Sequence, residues 1–197
     1  MNKSILIVFA MGIFASSGVI ASKKATEAPL DQPVLNDEAV LKKANSILET
    51  TFNVNHQEIE PWLKKVNPHY TKKGFQQVLK VQMPEKIASK SLVMTATKEA
   101  EPQMIAKGLQ GDKKPIYTWI IASPLEIKLS NSSSKKELHV VCLAEVNRVN
   151  KATSPDLVVI NYFDCGEGYA KQAVDGLKFE MENVKKKANE KYKLTQK

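Results

Sequence analysis

Two cysteines and three histidines are the residues of this 197-residue chain with the widest chemical range. Cys142 and Cys165 stand at the far ends of two apolar stretches, "HVVCLAEVN" and "DLVVINYFDC", and His139 precedes Cys142 by three positions. Two thiols with an imidazole nearby suit a nucleophile and its resolving partner, a metal pair, or a disulfide. A redox-active pair is more usually C-x-x-C beside a helix N-terminus, where the thiolate is stabilised. Zinc asks for four ligands, and only His139 lies near in sequence. The register favours the disulfide. Leu138, Val140, Cys142, Ala144 and Val146 alternate onto one strand face, and Leu157, Val159, Asn161, Phe163 and Cys165 onto another. A hairpin turning about Thr153 and Ser154, within the turn-rich "KATSPD", sets Cys142 opposite Cys165, close enough for a bridge if the pair exchanges no backbone hydrogen bonds. A one-residue slip would turn the thiols to opposite faces. Two free buried thiols, or a catalytic or metal-binding thiol, are the alternatives.

Other chemistry is sparse. His56, His69 and His139 fall in three separate segments, and none belongs to an H-x-x-x-H or H-E-x-x-H pattern. There is no G-x-S-x-G, no phosphate-cradling glycine loop and no S-x-x-K. Acidic residues fall mainly on predicted helix faces and in turns, so no carboxylate pair stands out as acid and base. Asp164 and Glu167 flank Cys165, which is ordinary at a strand end. "NSS" at Asn131 matches a glycosylation acceptor, relevant only in a eukaryotic secretory pathway. The expectation is a protein that is not an enzyme, with no catalytic residue, no cofactor and no metal site.

The compartment is written in residues 1–21. A short basic start through Lys3, the apolar run "ILIVFAMGIF" and small residues ending at Ala21 describe a signal peptide cut between Ala21 and Ser22. An uncleaved inner-membrane anchor is the alternative, although the apolar stretch would only marginally span a bilayer. Export to the periplasm, an oxidising compartment, favours the disulfide further. The formal net charge is +8 and is unevenly spread, with eight lysines after Gly168 that include Lys185, Lys186 and Lys187. Export and the lack of an arginine-rich or aromatic-interleaved patch argue against nucleic acid. An anionic membrane surface or an acidic protein partner fits the charge, and the lysine triplet is the candidate contact.

The elements that must position these residues follow from periodicity. "SKKATEAPLDQPVLN" (22–36) reads as a flexible linker. Asn36 caps a helix carrying Val40, Leu41, Ala44, Ile47, Leu48, Thr51 and Phe52 inward. A second helical pattern holds Ile59, Trp62, Leu63 and Val66. Thr71 caps a third with Phe75, Val78 and Leu79 inward, which Pro84 ends. After Ser91 the chain alternates as strands through "SLVMTA", "QMIAKGLQG", "IYTWIIASPLEIKL", "ELHVVCLAEVN" and "DLVVINYF". From Gly168 a helical pattern returns with Ala173, Leu177, Met181, Val184 and Ala188. Helices followed by sequential strands predict an α+β domain over 37–166, with N-terminal helices packed on a curved antiparallel meander sheet, then a basic amphipathic helical tail over 167–197. Trp62, Phe75, Tyr117 and Trp119 fall on elements that pack together. They form the core, or line a conical pocket between helices and sheet.

Read in order, several of these stretches resemble the DotI/IcmL family of type IVB secretion proteins. "HYTKKGFQQVL" (His69 to Leu79) is similar to the family's Y-(F)-T-x-x-G-W/F-x-x-F/L segment. "LVMTATKEAEPQMIAKGLQGDKKPIYTWIIASPLEIKL" follows its strand run, with Gly108, Leu109, Tyr117, Trp119 and Pro124 at the matching places. "ANSILETTFNVNHQEIEPWLKKV" fits its leading helix. The resemblance runs from Ala44 to Tyr162. It implies an NTF2-like periplasmic domain and a non-enzymatic scaffold or accessory part of a secretion or conjugation apparatus, working through protein contacts, with self-association left open. The signal-like start and the basic tail set the chain apart from membrane-anchored members and imply an IcmL-like accessory or stand-alone paralogue. A small-ligand binding protein using the pocket, or a secreted factor with a basic membrane- or partner-binding tail, are the alternative functions.

Overall fold

The structure, a computed structural model, describes residues 28–111 and 113–167. The Ala21–Ser22 junction and the tail bearing Lys185, Lys186 and Lys187 lie outside the described residues.

Helix α1 (Asp37–Phe52) begins where the Asn36 side chain accepts a hydrogen bond from the Ala39 N–H at 2.8 Å, with Asp37 and Glu38 in its first, dipole-positive turn. Its buried stripe contains Val40, Ala44, Ile47, Leu48, Thr51 and Phe52, as the period predicts. The segment before it is less free than a linker reading implies: the Tyr117 N–H donates to the Leu30 carbonyl at 2.8 Å, and Leu35 packs against the core. Helix α2 (Ile59–Val66) buries Trp62 and Val66 and runs into a 3-10 turn at Asn67–His69. Helix α3 (Lys72–Gln82) starts at Thr71, whose hydroxyl accepts from the Gly74 N–H at 3.0 Å. Pro84 does not simply stop this helix. Met83 ends it in a left-handed conformation (φ 47°), and Pro84 opens a further helix, α4 (Pro84–Ser89), where its missing N–H is no loss.

Among the described residues, six strands form one antiparallel sheet: β1 (Val54–Asn55), β2 (Val93–Lys98), β3 (Gln103–Gln110), β4 (Ile116–Ser130), β5 (Lys135–Arg148) and β6 (Val158–Glu167). β4, β5 and β6 are a meander. β2 and β3 instead share one edge of β4, end to end: β3 pairs with it as far as Ala122, and β2 from Leu125 onward. Pro124 sits at this handover. A strand residue's N–H and C=O point to the same side, and the Pro124 carbonyl accepts from the Glu99 N–H at 3.0 Å. The N–H that proline lacks therefore faces the junction between β3 and β2, where the ladder already breaks.

The helices cover the inner face of the sheet. Val40, Leu48, Trp62, Val66, Val78, Trp119, Leu125, Val146 and Phe163 share one core cluster. Phe163 anchors it with ring contacts to Phe52 (6.2 Å) and Tyr70 (5.9 Å). Thr51 donates to the Ile47 carbonyl at 2.8 Å, so the Tyr70 hydroxyl, 2.6 Å away, donates to Thr51. Burial pushes the Tyr70 phenol well above its ordinary range. An acid whose folded pKa is raised contributes stability that is intact below the unfolded value, about 10, and is lost as pH rises beyond it. Chemical denaturation from pH 9 to 11 should show this loss, and Tyr70→Phe should show a shallower one. Equal slopes would contradict the assignment.

Helix α3 lies unusually close to β6. The Thr71 N–H donates to the Ile160 carbonyl at 3.0 Å, and a Cβ at Gly74 would run into that same oxygen while pressing on Tyr70 Cδ1 at 3.1 Å and the Asn161 carbonyl at 3.2 Å. Alanine gains about 1 kcal/mol in helix preference, but the clash with fixed backbone outweighs it. Gly74→Ala is expected to destabilise by about 2 kcal/mol net in urea unfolding, and a stabilised variant would contradict the contact.

Candidate functional site

The two thiols meet, as expected. Cys142 and Cys165 are cross-strand partners, bonded to each other, with Cα atoms 4.1 Å apart. This short spacing suits a pair that exchanges no backbone hydrogen bonds. The face assignment on β6 needs one correction. The β5–β6 register shifts between Glu145 and Val146, which makes Asn161 an extra, bulged residue. Val158 and Ile160 therefore share the core with Phe163 and Cys165, whereas strict alternation predicts Leu157, Val159 and Asn161 there. The bulge has a use. The Asn161 carboxamide accepts from the Thr71 hydroxyl at 2.9 Å and donates to Glu145 at 2.7 Å, fastening β6 to the start of α3.

The four aromatic candidates divide between core and surface. Trp62 is buried and donates through Nε1 to the Thr50 carbonyl at 3.2 Å. Trp119 is fully buried against Tyr117, with ring centroids 4.9 Å apart, and Phe75 packs partly buried against the same core. Tyr117 also borders a surface groove of about 200 Å³ with Lys107, whose ammonium lies 2.6 Å from Asp37 and is held above its ordinary range by that hydrogen bond. Larger grooves flank α1. One, of about 490 Å³, has Glu38, Lys42, Glu49 and Lys98 on its walls. The other, of about 350 Å³, has Lys43, His69 and Asp156, in which Lys43 pairs with Asp156 at 2.6 Å. These are open surface grooves, and the aromatic set belongs chiefly to the core.

One constellation is only half visible in local sequence patterns. On the face of the sheet turned away from the helices, His139 meets Glu99 (Nδ1 to Oε1, 2.8 Å) and Glu137 (Nε2 to Oε1, 3.2 Å), and Glu126 is its cross-strand partner on β4. Glu137 and His139 are two apart on one strand, a visible signal. Glu99 and Glu126 arrive only through sheet pairing. His56 lies apart from this cluster, beside α2 and α4.

Among the described residues, no helix is long and apolar enough to cross a membrane. The fold matches solved periplasmic domains. With the periplasmic domain of DotI the TM-score is 0.61 at 22% identity, covering 68% of this chain and 98% of that one. A periplasmic fragment of TraM gives 0.59 at 18%, covering 67% and 98%. An IcmL-like type IV secretion system protein from Legionella pneumophila gives 0.58 at 11%, covering 69% and 96%. At these identities the likeness shows the fold alone. No curated protein matches the chain in sequence. The model of the family described as the inner-membrane complex component of the type IVB secretion system matches residues 21–166. That span holds α1–α4 and the sheet to within one residue of its end, and the chain belongs to the DotI/IcmL family of type IVB secretion system components.

Proposed function

We propose that the chain is a non-enzymatic scaffold or accessory protein of a type IVB secretion or conjugation apparatus, exported to the periplasm and acting through contacts with other protein components. The family match over 21–166 carries this reading. The filled interior supports it: Trp62 and Trp119 are spent on packing, which leaves the exposed faces as the surfaces for recognition. In this reading residues 1–21 direct export, and cleavage falls between Ala21 and Ser22. The lysine-rich tail, with Lys185, Lys186 and Lys187, contacts an acidic partner surface, where clustered like charge steers association.

The test is charge reversal. Lys185→Glu, Lys186→Glu and Lys187→Glu together should abolish co-purification with apparatus components while leaving the thermal unfolding midpoint unchanged. Undiminished co-purification would remove the tail from the interface.

A further inference from the structure

We propose that Glu126, Glu137 and His139 form a binding site for one divalent transition-metal cation, best matched by Zn²⁺, with Glu99 orienting the imidazole. The site lies on the sheet face turned away from the helices. It neither uses the tail nor depends on the secretion role.

Sheet geometry assembles the donors. Residues two apart on a strand point to the same face, which brings Glu137 and His139 together on β5. Glu126 stands directly opposite His139 on β4. One donor atom from each of the three lies within 4.8 Å of the other two. The 3.2 Å between His139 Nε2 and Glu137 Oε1 is close to the edge, roughly 3.4 Å, of a tetrahedron around Zn²⁺ with bonds of about 2.1 Å. Small side-chain rotations of Glu126 complete the third corner, and water fills the fourth.

The orientation of the imidazole also fits. A neutral His139 that donates its Nδ1–H to Glu99 turns the Nε2 lone pair toward Glu126 and Glu137, the arrangement in which a carboxylate fixes the tautomer of a metal-bound histidine. The side chains of His139 and Glu126 are 16% and 19% exposed, enough cover to hold their directions and enough opening to admit an ion with its water. Glu126 is also ion-paired with Lys128 at 3.1 Å, and a bound cation would take over that role and release the more exposed lysine to solvent. Two carboxylates with an imidazole favour Zn²⁺ over Mg²⁺, which prefers an all-oxygen octahedral shell. The competing arrangement is an imidazolium held between Glu99 and Glu137 with no metal.

Isothermal titration of the chelator-stripped full chain with Zn²⁺ tests the proposal, with Co²⁺ absorption as the report on ligand geometry. The expected result is one saturable Zn²⁺ per chain. Affinity should fall at least ~10-fold in His139→Gln and in Glu126→Gln, and about 10- to 100-fold in Glu99→Gln. Co²⁺ should give d–d bands that disappear in His139→Gln, while His56→Gln and His69→Gln bind as the wild type does. Each variant's melting temperature in chelator checks its fold. Should one of them unfold, Zn²⁺-dependent protection of His139 from carbethoxylation in the wild type replaces that variant, and protection is expected. Absence of saturable binding, binding unchanged in His139→Gln and Glu126→Gln, or no protection of His139 would overturn the proposal in favour of the imidazolium.

Discussion

Trp119→Ala is expected to destabilise the domain by about 4 kcal/mol, the largest effect of any single substitution discussed. Trp119 is fully buried near the start of β4, where that strand is paired with β3 on one side and β5 on the other. Truncation removes its contact with Tyr117 and opens a cavity that a strand paired on both sides cannot collapse to fill. The indole brings no compensating hydrogen bond from the described residues, among which its Nε1 has no partner. Trp119→Phe loses volume but also removes that orphaned donor, so it should cost far less, about 1–2 kcal/mol. Urea unfolding of both variants checks the difference. Similar losses for Ala and Phe would mean that the indole N–H, rather than the ring volume, carries the stability.

Removing the disulfide comes next. Cys142→Ala with Cys165→Ala should destabilise by about 3 kcal/mol, because the bond closes a loop with a sequence separation of 23 and limits the unfolded ensemble. That corresponds to a melting temperature lower by about 10 °C for a domain of this size. Alanine is the right replacement at position 142, where a serine hydroxyl would be buried in the core. Wild type reduced by dithiothreitol should melt near the double variant. An unchanged midpoint in both would mean that the hairpin ladder alone holds β5 to β6.

The sequence carries much of this architecture in readable form, and its limits have physical causes. Thr71 signals a helix cap, and the structure adds what the sequence did not show, a close approach three residues later that places Gly74 against the Ile160 carbonyl. Pro124, five residues after Trp119, is readable as a motif, but its reason lies in the handover from β3 to β2, which depends on how three strands pair. The Cys142–Cys165 pairing was legible from a turn placed between Thr153 and Ser154, although the pairs nearest the turn centre on Thr153 and it is the Asn161 bulge that brings Cys165 rather than Asp164 opposite Cys142. The Asn161 bulge was not, since a bulge leaves composition unchanged and shifts only the faces beyond it. Pro84 reads as a helix stop, yet proline at a first helical position opens α4 equally well. The Glu99–Glu126–Glu137–His139 cluster spans three segments, and local spacing shows only its Glu137–His139 half.

The most direct test of the secretion role is in-cell cross-linking of the tagged full chain, purification from the envelope, and identification of what is bound. The account predicts recovery of type IVB secretion components, with the chain itself in the periplasmic fraction. Recovery of the protein alone as a soluble monomer would contradict it and reduce the family relationship to a shared fold.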